Sequence, residues 1–434
     1  MGKARISSFI VDLKLTPDNQ VVILEMGRAW ASSAFRGHDR ISNGTLALRD
    51  KIGGYYKSFG VPITQIGEHD KGLFPVIGTQ YKYVTDFKPD NKQPFTPDAP
   101  APSAIKDHRA LLLRFKTEDS NYFDRIKQAL NPAITVDDCG PLLACMFDKS
   151  IFAKLIAEKA PEITPKQYVV PVDDRMTAHW PRFRDHDPFW SAPLVLKCPN
   201  ALNGDEVKII QNENGAESYD DLDRAVGNMT GLQKDFLLVV QEVVRGRRVK
   251  HPQKPGLYDP TIRIAVTAIH ENDKTHLECH DIAYNKFPLK PCNTHNEDVE
   301  EESLKSDSRA SSLIPDFEKE IIFNQIREYL TPPVHDLFQS SPKDIVQELF
   351  SSPDQTSRLI GLKLLFDTAY CNVRSSHDFL GADHQIAELL RTSPAAREAI
   401  ELKKCNLHLF RIRGTALENL LPKNTVVKPE LQMT

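Results

Sequence analysis

Residues 193–266 hold the stretch that decides the fold: Pro193-Leu194-Val195-Leu196-Lys197, then Leu238-Val239-Val240-Gln241-Glu242-Val243-Val244, then Asp259-Pro260-Thr261-Ile262-Arg263-Ile264. Each is a short apolar run of strand type with a polar residue near one end: Lys197, the pair Gln241 and Glu242, and Arg263. A strand core has no need of charge, and burying one is costly unless a partner neutralises it. Two readings stand. The polar residues pair with one another and with nearby carboxylates, or the cations face a polyphosphate while the backbone of Gln241 to Val243 lies against a base.

Working outward, the 434 residues leave room for roughly two or three domains of about 100–200 residues each. Hydrophobic residues at 40% and charged residues at 26% are ordinary for a globular chain. A net charge of −4 argues against a general nucleic-acid binder. The seven cysteines, at positions from Cys139 to Cys405, are scattered and form no C-x-x-C, which fits a reducing compartment and supplies no zinc framework. There is no apolar signal-type stretch at the start and no run of about 18 apolar residues, so the expectation is a cytoplasmic protein without a membrane span. Export by a non-classical secretion route would leave no mark of this kind.

On the N-terminal side, residues 6–14 and 21–26 read as strands joined by the turn formers of Thr16-Pro17-Asp18-Asn19-Gln20. Asp12 and Glu25 interrupt these apolar strands. Carboxylates on neighbouring strands suit Mg²⁺, which takes one or two of them and completes its shell with phosphate and water; they equally suit the wet face of a hairpin. Residues 110–136 show a strand, helix, strand rhythm after a proline-rich loop at 88–103. A helix is expected over Ser150 to Lys159, opened by Asp148-Lys149, and a strand after Pro165-Lys166. Asn203-Gly204-Asp205 is a turn that can fold over phosphates or simply close a hairpin.

Taken together, Lys149 opening a helix, Pro165-Lys166 before a strand, Leu196-Lys197, the Gly204 turn, Gln241-Glu242 as a hinge and the strand residue Arg263 resemble the ATP-grasp nucleotide-binding fold. The resemblance covers roughly residues 130–285 and no one of its motifs is diagnostic. It implies an ATP- and Mg²⁺-dependent enzyme, most often a carboxylate-amine or carboxylate-thiol ligase working through an acyl phosphate. It implies that Lys149 and Lys197 reach the phosphates, that Gly204 lies over them, that Gln241, Glu242 and Val243 hold adenine, and that Arg263 contacts the transferred phosphate. The chain departs from the family where Arg247 and Arg248 follow Gly246, a place at which an acidic ribose ligand is usual. The family's metal-binding pair is also not evident after Arg263, where Glu278 and Asp281 are the fallback. Asp12 and Glu25 match that pair better, with Gly27 where an Asn is expected, which implies a circular permutation that moves the metal-binding hairpin to the N-terminus.

The resulting expectation is an α/β (α+β) protein: a strand hairpin at 1–40, a small α/β domain at 41–140, an ATP-grasp-like region at 141–293, an acidic and serine-rich linker at 294–312, and an all-helical region at 313–434. Within the last, Ile321, Ile322, Ile326 and Leu330 have the spacing of one helix face. Ile345 to Pro353 resembles Gln385 to Pro394 at a separation near the period of about 40–47 of helical-hairpin repeats, so these helices either form a bundle or dock a protein partner. Besides ATP, the enzyme reading requires an unidentified small-molecule or peptide acceptor. The basic loop of Arg245, Arg247, Arg248, Lys250, His251 and Lys254 is either solvated or holds an anionic substrate, which keeps a kinase open beside the ligase. The missing Asn and ribose acid keep open a degenerate scaffold. His280 followed by Asp281 is either ordinary polar sequence or a metal ligand and base.

Overall fold

The computed structural model describes residues 5–28, 63–66, 109–112, 140–146, 148–171, 189, 193–199, 207–210, 237–292, 306–340 and 342–366. In chain order these form β1 (Arg5–Leu15), β2 (Val21–Arg28), β3 (Ile63–Ile66), β4 (Arg109–Leu112), α1 (Gly140–Cys145) and α2 (Lys149–Leu155), with a 3-10 turn at Ala157–Lys159. Then come β5 (Gln167–Pro171), β6 (Leu194–Lys197), β7 (Val207–Ile210), β8 (Leu237–Glu242), β9 (Val249–Lys250), β10 (Leu257–Tyr258), β11 (Thr261–Glu271), β12 (Lys274–Pro288) and β13 (Ser306–Leu313). The helices α3 (Asp316–Gln325), α4 (Thr331–Gln339), α5 (Pro342–Ser351) and α6 (Gln355–Phe366) follow, with a π-helical turn, Ile326–Leu330, joining α3 to α4.

The fold is mixed α/β. A five-stranded antiparallel sheet in the order β13-β12-β11-β1-β2 and a four-stranded antiparallel sheet in the order β5-β8-β6-β7 are its main layers. The hairpin closing β1 onto β2 follows from its turn: Asn19 takes a left-handed φ of 61°, which Asn tolerates, and the Thr16 side chain accepts from the Gln20 N–H. Asn272 and Asp273, at φ 51° and 59°, make the two-residue turn that matches strand twist between β11 and β12.

Strand alternation divides the larger sheet into two unlike faces. Phe9, Val11, Leu13 and Leu15 of β1 join Ile262, Ile264, Val266 and Ala268 of β11 in one buried core with Ile322, Ile326 and Leu330. The opposite face of β1 carries Ser8, Asp12 and Lys14, and these are also buried. An amphipathic strand needs only one covered face, so the second coverage of polar groups marks the place to look for a site.

Several expectations change. Residues 306–313 are not linker but the edge strand β13, whose polar sequence is compatible with an edge because the ladder to β12 needs only backbone groups and Asn285 Nδ2 donates to Ser312 Oγ at 3.1 Å. The helix expected to Lys159 breaks at Ile156, where the chain tightens into the 3-10 turn. Helix begins at 316 rather than 313, and residues 316–339 and 342–366 are helical apart from the short α5–α6 connection; residues 367–434, including the Gln385 to Pro394 copy of the repeat, lie outside the described residues. So do the proline-rich loop and the 122–136 elements. Among the described residues no helix is long and apolar enough to cross a membrane.

Candidate functional site

Four strands of the larger sheet line up one polar row. Glu25 on β2 pairs with Asp12 on β1, Asp12 with Arg263 on β11, and Arg263 with Tyr284 on β12. Side chains directly opposite on antiparallel strands share a face, so the register alone brings these four together. The Asp12 and Arg263 side chains are largely buried and form a two-pronged pair, Nε to Oδ1 at 2.6 Å and Nη2 to Oδ2 at 2.5 Å. Burial pushes the Asp12 carboxyl up, but the Arg263 guanidinium outweighs it, with help from Lys286 and a hydrogen bond with Glu25, and holds the group below the usual range. Burial lowers the Arg263 pKa and the Asp12 charge and hydrogen bonds more than reverse this, so the guanidinium stays charged. Burial raises the Tyr284 hydroxyl to about 12 despite Arg263 alongside.

Both lysines converge on this row. Just past Asp12 the register slips, so that Leu13 faces Ile23 and Leu24 is the extra residue of a bulge. The Leu24 carbonyl accepts from Lys197 Nζ at 3.3 Å. Lys197 is 8% exposed, and desolvation brings its pKa down to about 8, Lys149 adding to the fall while Glu25 and Asp12 oppose it. Lys149 Nζ lies 3.6 Å from Glu25 Oε2. It stands at the first position of α2, whose N-cap is Asp148 and whose Lys149 N–H is held by the Pro199 carbonyl at 2.9 Å.

The residues expected to form the hinge, Gln241, Glu242 and Val243, lie on β8 and just past its end. Gln241 is buried and shares a sheet face with Lys197, since Lys197 pairs with Val239 and Gln241 lies two positions further along β8. Gln241 Oε1 is buried without a hydrogen bond among the described residues. The Glu242 carboxylate accepts from the Lys166 N–H at 2.8 Å while its own N–H donates to the Lys166 carbonyl, and the Val243 N–H donates to Pro193 O. These two N–H groups are therefore committed to the protein. Gly204 lies outside the described residues.

The fallback pair does not reach this place through Glu278, which faces Thr267, four positions along β11 from Arg263 and so about 13 Å away at roughly 3.3 Å per residue. The Asp281 side chain lies outside the described residues. His280 is buried in a hydrogen-bonded chain, its Nε2 at 2.7 Å from Thr267 Oγ1, which is 3.0 Å from Ser8 Oγ. The basic loop is partly structural: Arg247 pairs with Glu318 on α3, and His251 packs against Tyr258 and Phe287 while its Nδ1 accepts from the Gln253 and Lys254 N–H groups. Arg245, Arg248, Lys250 and Lys254 remain exposed. Residues that sequence reasoning missed are Tyr284 and Lys286, which alternation puts on the Arg263 face; a Tyr-x-Lys spacing opposite a strand arginine was the available signal.

The donor set can hold a hard cation. Asp12 and Glu25 supply oxygen ligands within hydrogen-bonding reach of each other, and carboxylate oxygens engaged by Arg263 keep a second lone pair. Among the described residues no group of three or more His, Cys, Asp or Glu gathers into a protein-only metal cage, which Mg²⁺ does not require when substrate phosphates complete its shell.

No family model and no curated protein matches the chain. Among solved structures it is similar to a protein provisionally assigned as a gamma-glutamylcysteine synthetase from Methylobacillus flagellatus KT, at 10% identity and TM-score 0.42, over 77% of this chain and 90% of that one. It is also similar to D-alanine-D-alanine ligase from Helicobacter pylori, at 11% identity and TM-score 0.22, over 54% of this chain and 71% of that one. A third is a glutathione synthetase-like effector from Globodera pallida, at 11% identity and TM-score 0.28, over 66% and 74%. Likenesses this loose assign no chemistry to this chain.

Proposed function

We propose that the chain is an ATP- and Mg²⁺-dependent ligase of ATP-grasp type that joins a carboxylate to an amine or thiol. The observation that carries this reading is the convergence of cations on the polar row. Lys149 lies against Glu25, Lys197 against the Leu24 carbonyl and Arg263 against Asp12, with Lys286 close enough to act on the Asp12 carboxyl, and cations gathered on one largely buried face suit an anion. A polyphosphate is an anion of the right extent. Gln241 Oε1, a buried acceptor on the Lys197 face, suits the exocyclic amine of adenine.

In this reading Lys197 and Lys149 hold the phosphate chain, and the Arg263 N–H groups not used by Asp12 stabilise charge on the transferred phosphoryl group. Asp12 keeps Arg263 charged and oriented. Asp12 and Glu25 would hold Mg²⁺, which supplies charge neutralisation at the phosphates. The acceptor carboxylate attacks the γ-phosphorus, releasing ADP and forming an acyl phosphate. The amine or thiol then adds to the acyl carbon and expels phosphate, losing its proton.

Thermal melting with ATP and Mg²⁺ tests the reading. Ligand at about 100 times its Kd adds about 2.7 kcal/mol to stability, so a clear upward shift is expected. No shift up to millimolar ATP overturns nucleotide binding and leaves a scaffold. The exposed Arg245, Arg248, Lys250 and Lys254 support one second reading, a kinase acting on a polyanion. Product analysis separates the two: a ligase releases ADP and phosphate with a coupled product, whereas a kinase leaves the phosphate on its acceptor.

A further inference from the structure

Beneath the first turn of α2 lies an ion pair that the proposed chemistry does not use. Lys363 of α6 and Asp148 are both almost fully buried, with Nζ 2.5 Å from Oδ2. The other carboxylate oxygen caps α2: Asp148 Oδ1 accepts from the Ser150 N–H at 2.9 Å, the Ile151 N–H at 3.2 Å and the Ser150 hydroxyl at 2.5 Å. Lys363 Nζ also lies 3.3 Å from Ser150 Oγ. Capping a helix needs one oxygen, and Ser, Thr or Asn would serve without a charge. A buried carboxylate and ammonium each carry a desolvation penalty, so this pair does not follow from helix stability.

What the pair does achieve is geometric. It ties a helix more than two hundred residues downstream to the cap of the turn that presents Lys149. Lys149 is the next residue after Asp148, and its ammonium reaches Glu25 across the site. Its backbone is held at the N–H by Pro199. With Oδ1 engaged by Ser150 and Ile151 and Oδ2 by Lys363, both carboxylate oxygens of Asp148 are held, and with them the turn that they cap.

We infer that Lys363 is a positioning residue that sets Lys149 over the polyphosphate site, so that docking of α6 and occupation of that site are coupled. This rests on the ATP reading above. Coupling of this kind is reciprocal: a fixed α6 favours the phosphates, and bound phosphates fix α6.

The experiment compares Lys363→Met with the wild-type chain for binding of ATP with Mg²⁺ and of adenosine, by calorimetry. Met keeps most of the apolar stem and removes the charge. ATP affinity is expected to fall by about two- to thirtyfold, with adenosine, which has no phosphate for Lys149 to hold, unchanged. Equal loss for both ligands, or no loss for either in folded protein, overturns the proposal. Hydrogen exchange on the wild-type chain supplies a second readout in case the variant does not fold. ATP should slow exchange at α6 amides around Lys363 while adenosine does not, and indifference of α6 to ATP overturns the inference. A wild-type chain that binds adenosine but shows no coupling refutes this inference alone, whereas one that binds neither ligand refutes the nucleotide reading as well.

Discussion

Two ion pairs, one buried and one partly buried, start two residues apart on the same face of β1, and they differ in what surrounds them. Lys14 Nζ donates to the Asp259 carboxylate at 2.6 Å and to the Asp259 carbonyl at 2.8 Å, and the remaining carboxylate capacity takes the Gly246 N–H at 3.1 and 3.2 Å. One cation meets one anion, and the backbone fills the rest. Asp12 and Arg263 pair just as closely, yet three further charged side chains, Glu25, Lys149 and Lys197, crowd the same place. The first arrangement is a strut that fixes the loop after β8 to the end of β1. The second has the crowding of unlike charges on which the proposed site rests. A buried salt bridge therefore says little about function until the neighbouring charges have been counted.

The sharpest way to break this comparison is to remove one charge from each pair. Asp12→Asn leaves Arg263 buried without its anion, which should destabilise the fold by about 3–5 kcal/mol and lower turnover by about 100- to 1000-fold. Asp259→Asn should destabilise through Lys14 but leave ATP affinity in the folded fraction within about twofold. Chemical denaturation and nucleotide titration on both variants check the contrast. Equal loss of ATP affinity would mean that the two pairs are the same kind of structure.

The difference between these pairs was only half legible in the sequence. Asp12, Glu25, Lys197 and Arg263 stand out because each breaks an apolar strand, and the turn residues at 16–20 announce the hairpin. Lys14 breaks the same strand just as plainly, and no local signal separates it from Asp12. The separation comes from register: β11 runs beside β1 so that Arg263 faces Asp12, and a strand slipped by one residue would have turned it to the other side. Register across hundreds of intervening residues has no signature in a single sequence. The Leu24 bulge that presents a carbonyl to Lys197 is hidden for the same reason, and so is the reach of Lys363 from α6. β13 escaped because an edge strand can be polar on both faces and so shows no alternation. Strand β8, by contrast, was legible from its apolar run, and Glu242 at its end turns its carboxylate to the Lys166 backbone.

A smaller effect sharpens the strut half of the comparison. A Cβ on Gly246 would lie 2.6 Å from Asp259 Oδ1 and 3.0 Å from Lys14 Cδ, so Gly246→Ala must displace the carboxylate that Lys14 and the Gly246 N–H jointly hold. Overpacking of this kind costs about 1–3 kcal/mol. If the strut and the site are separate devices, the melting temperature falls while the ATP affinity and the Lys197-dependent pH profile described next stay as in the wild-type chain.

The smallest effect is a pH dependence, and it singles out the proposed site, to which Lys197 is assigned. Burial holds the Lys197 pKa near 8 when the site has no ligand, against an ordinary value of 10.5. Polyphosphate binding favours the charged ammonium, so apparent ATP affinity should be level below pH 8 and fall above it, by at most about tenfold per pH unit from this group. The sign for folding is the reverse. Because the folded-state pKa is depressed, the unfolded chain binds more protons between about 8 and 10.5, and the penalty of burying a charged lysine is relieved as pH rises through that window. Stability from this group therefore rises where nucleotide affinity falls, a crossing that a general loss of structure cannot imitate. Lys197→Arg keeps its charge at every accessible pH and should flatten the affinity profile. Titrating ATP from pH 6.5 to 9.5 in both proteins decides the matter: a wild-type profile without a break near 8, or an identical break in the arginine variant, would remove Lys197 from the phosphate site and with it much of the contrast between the two pairs.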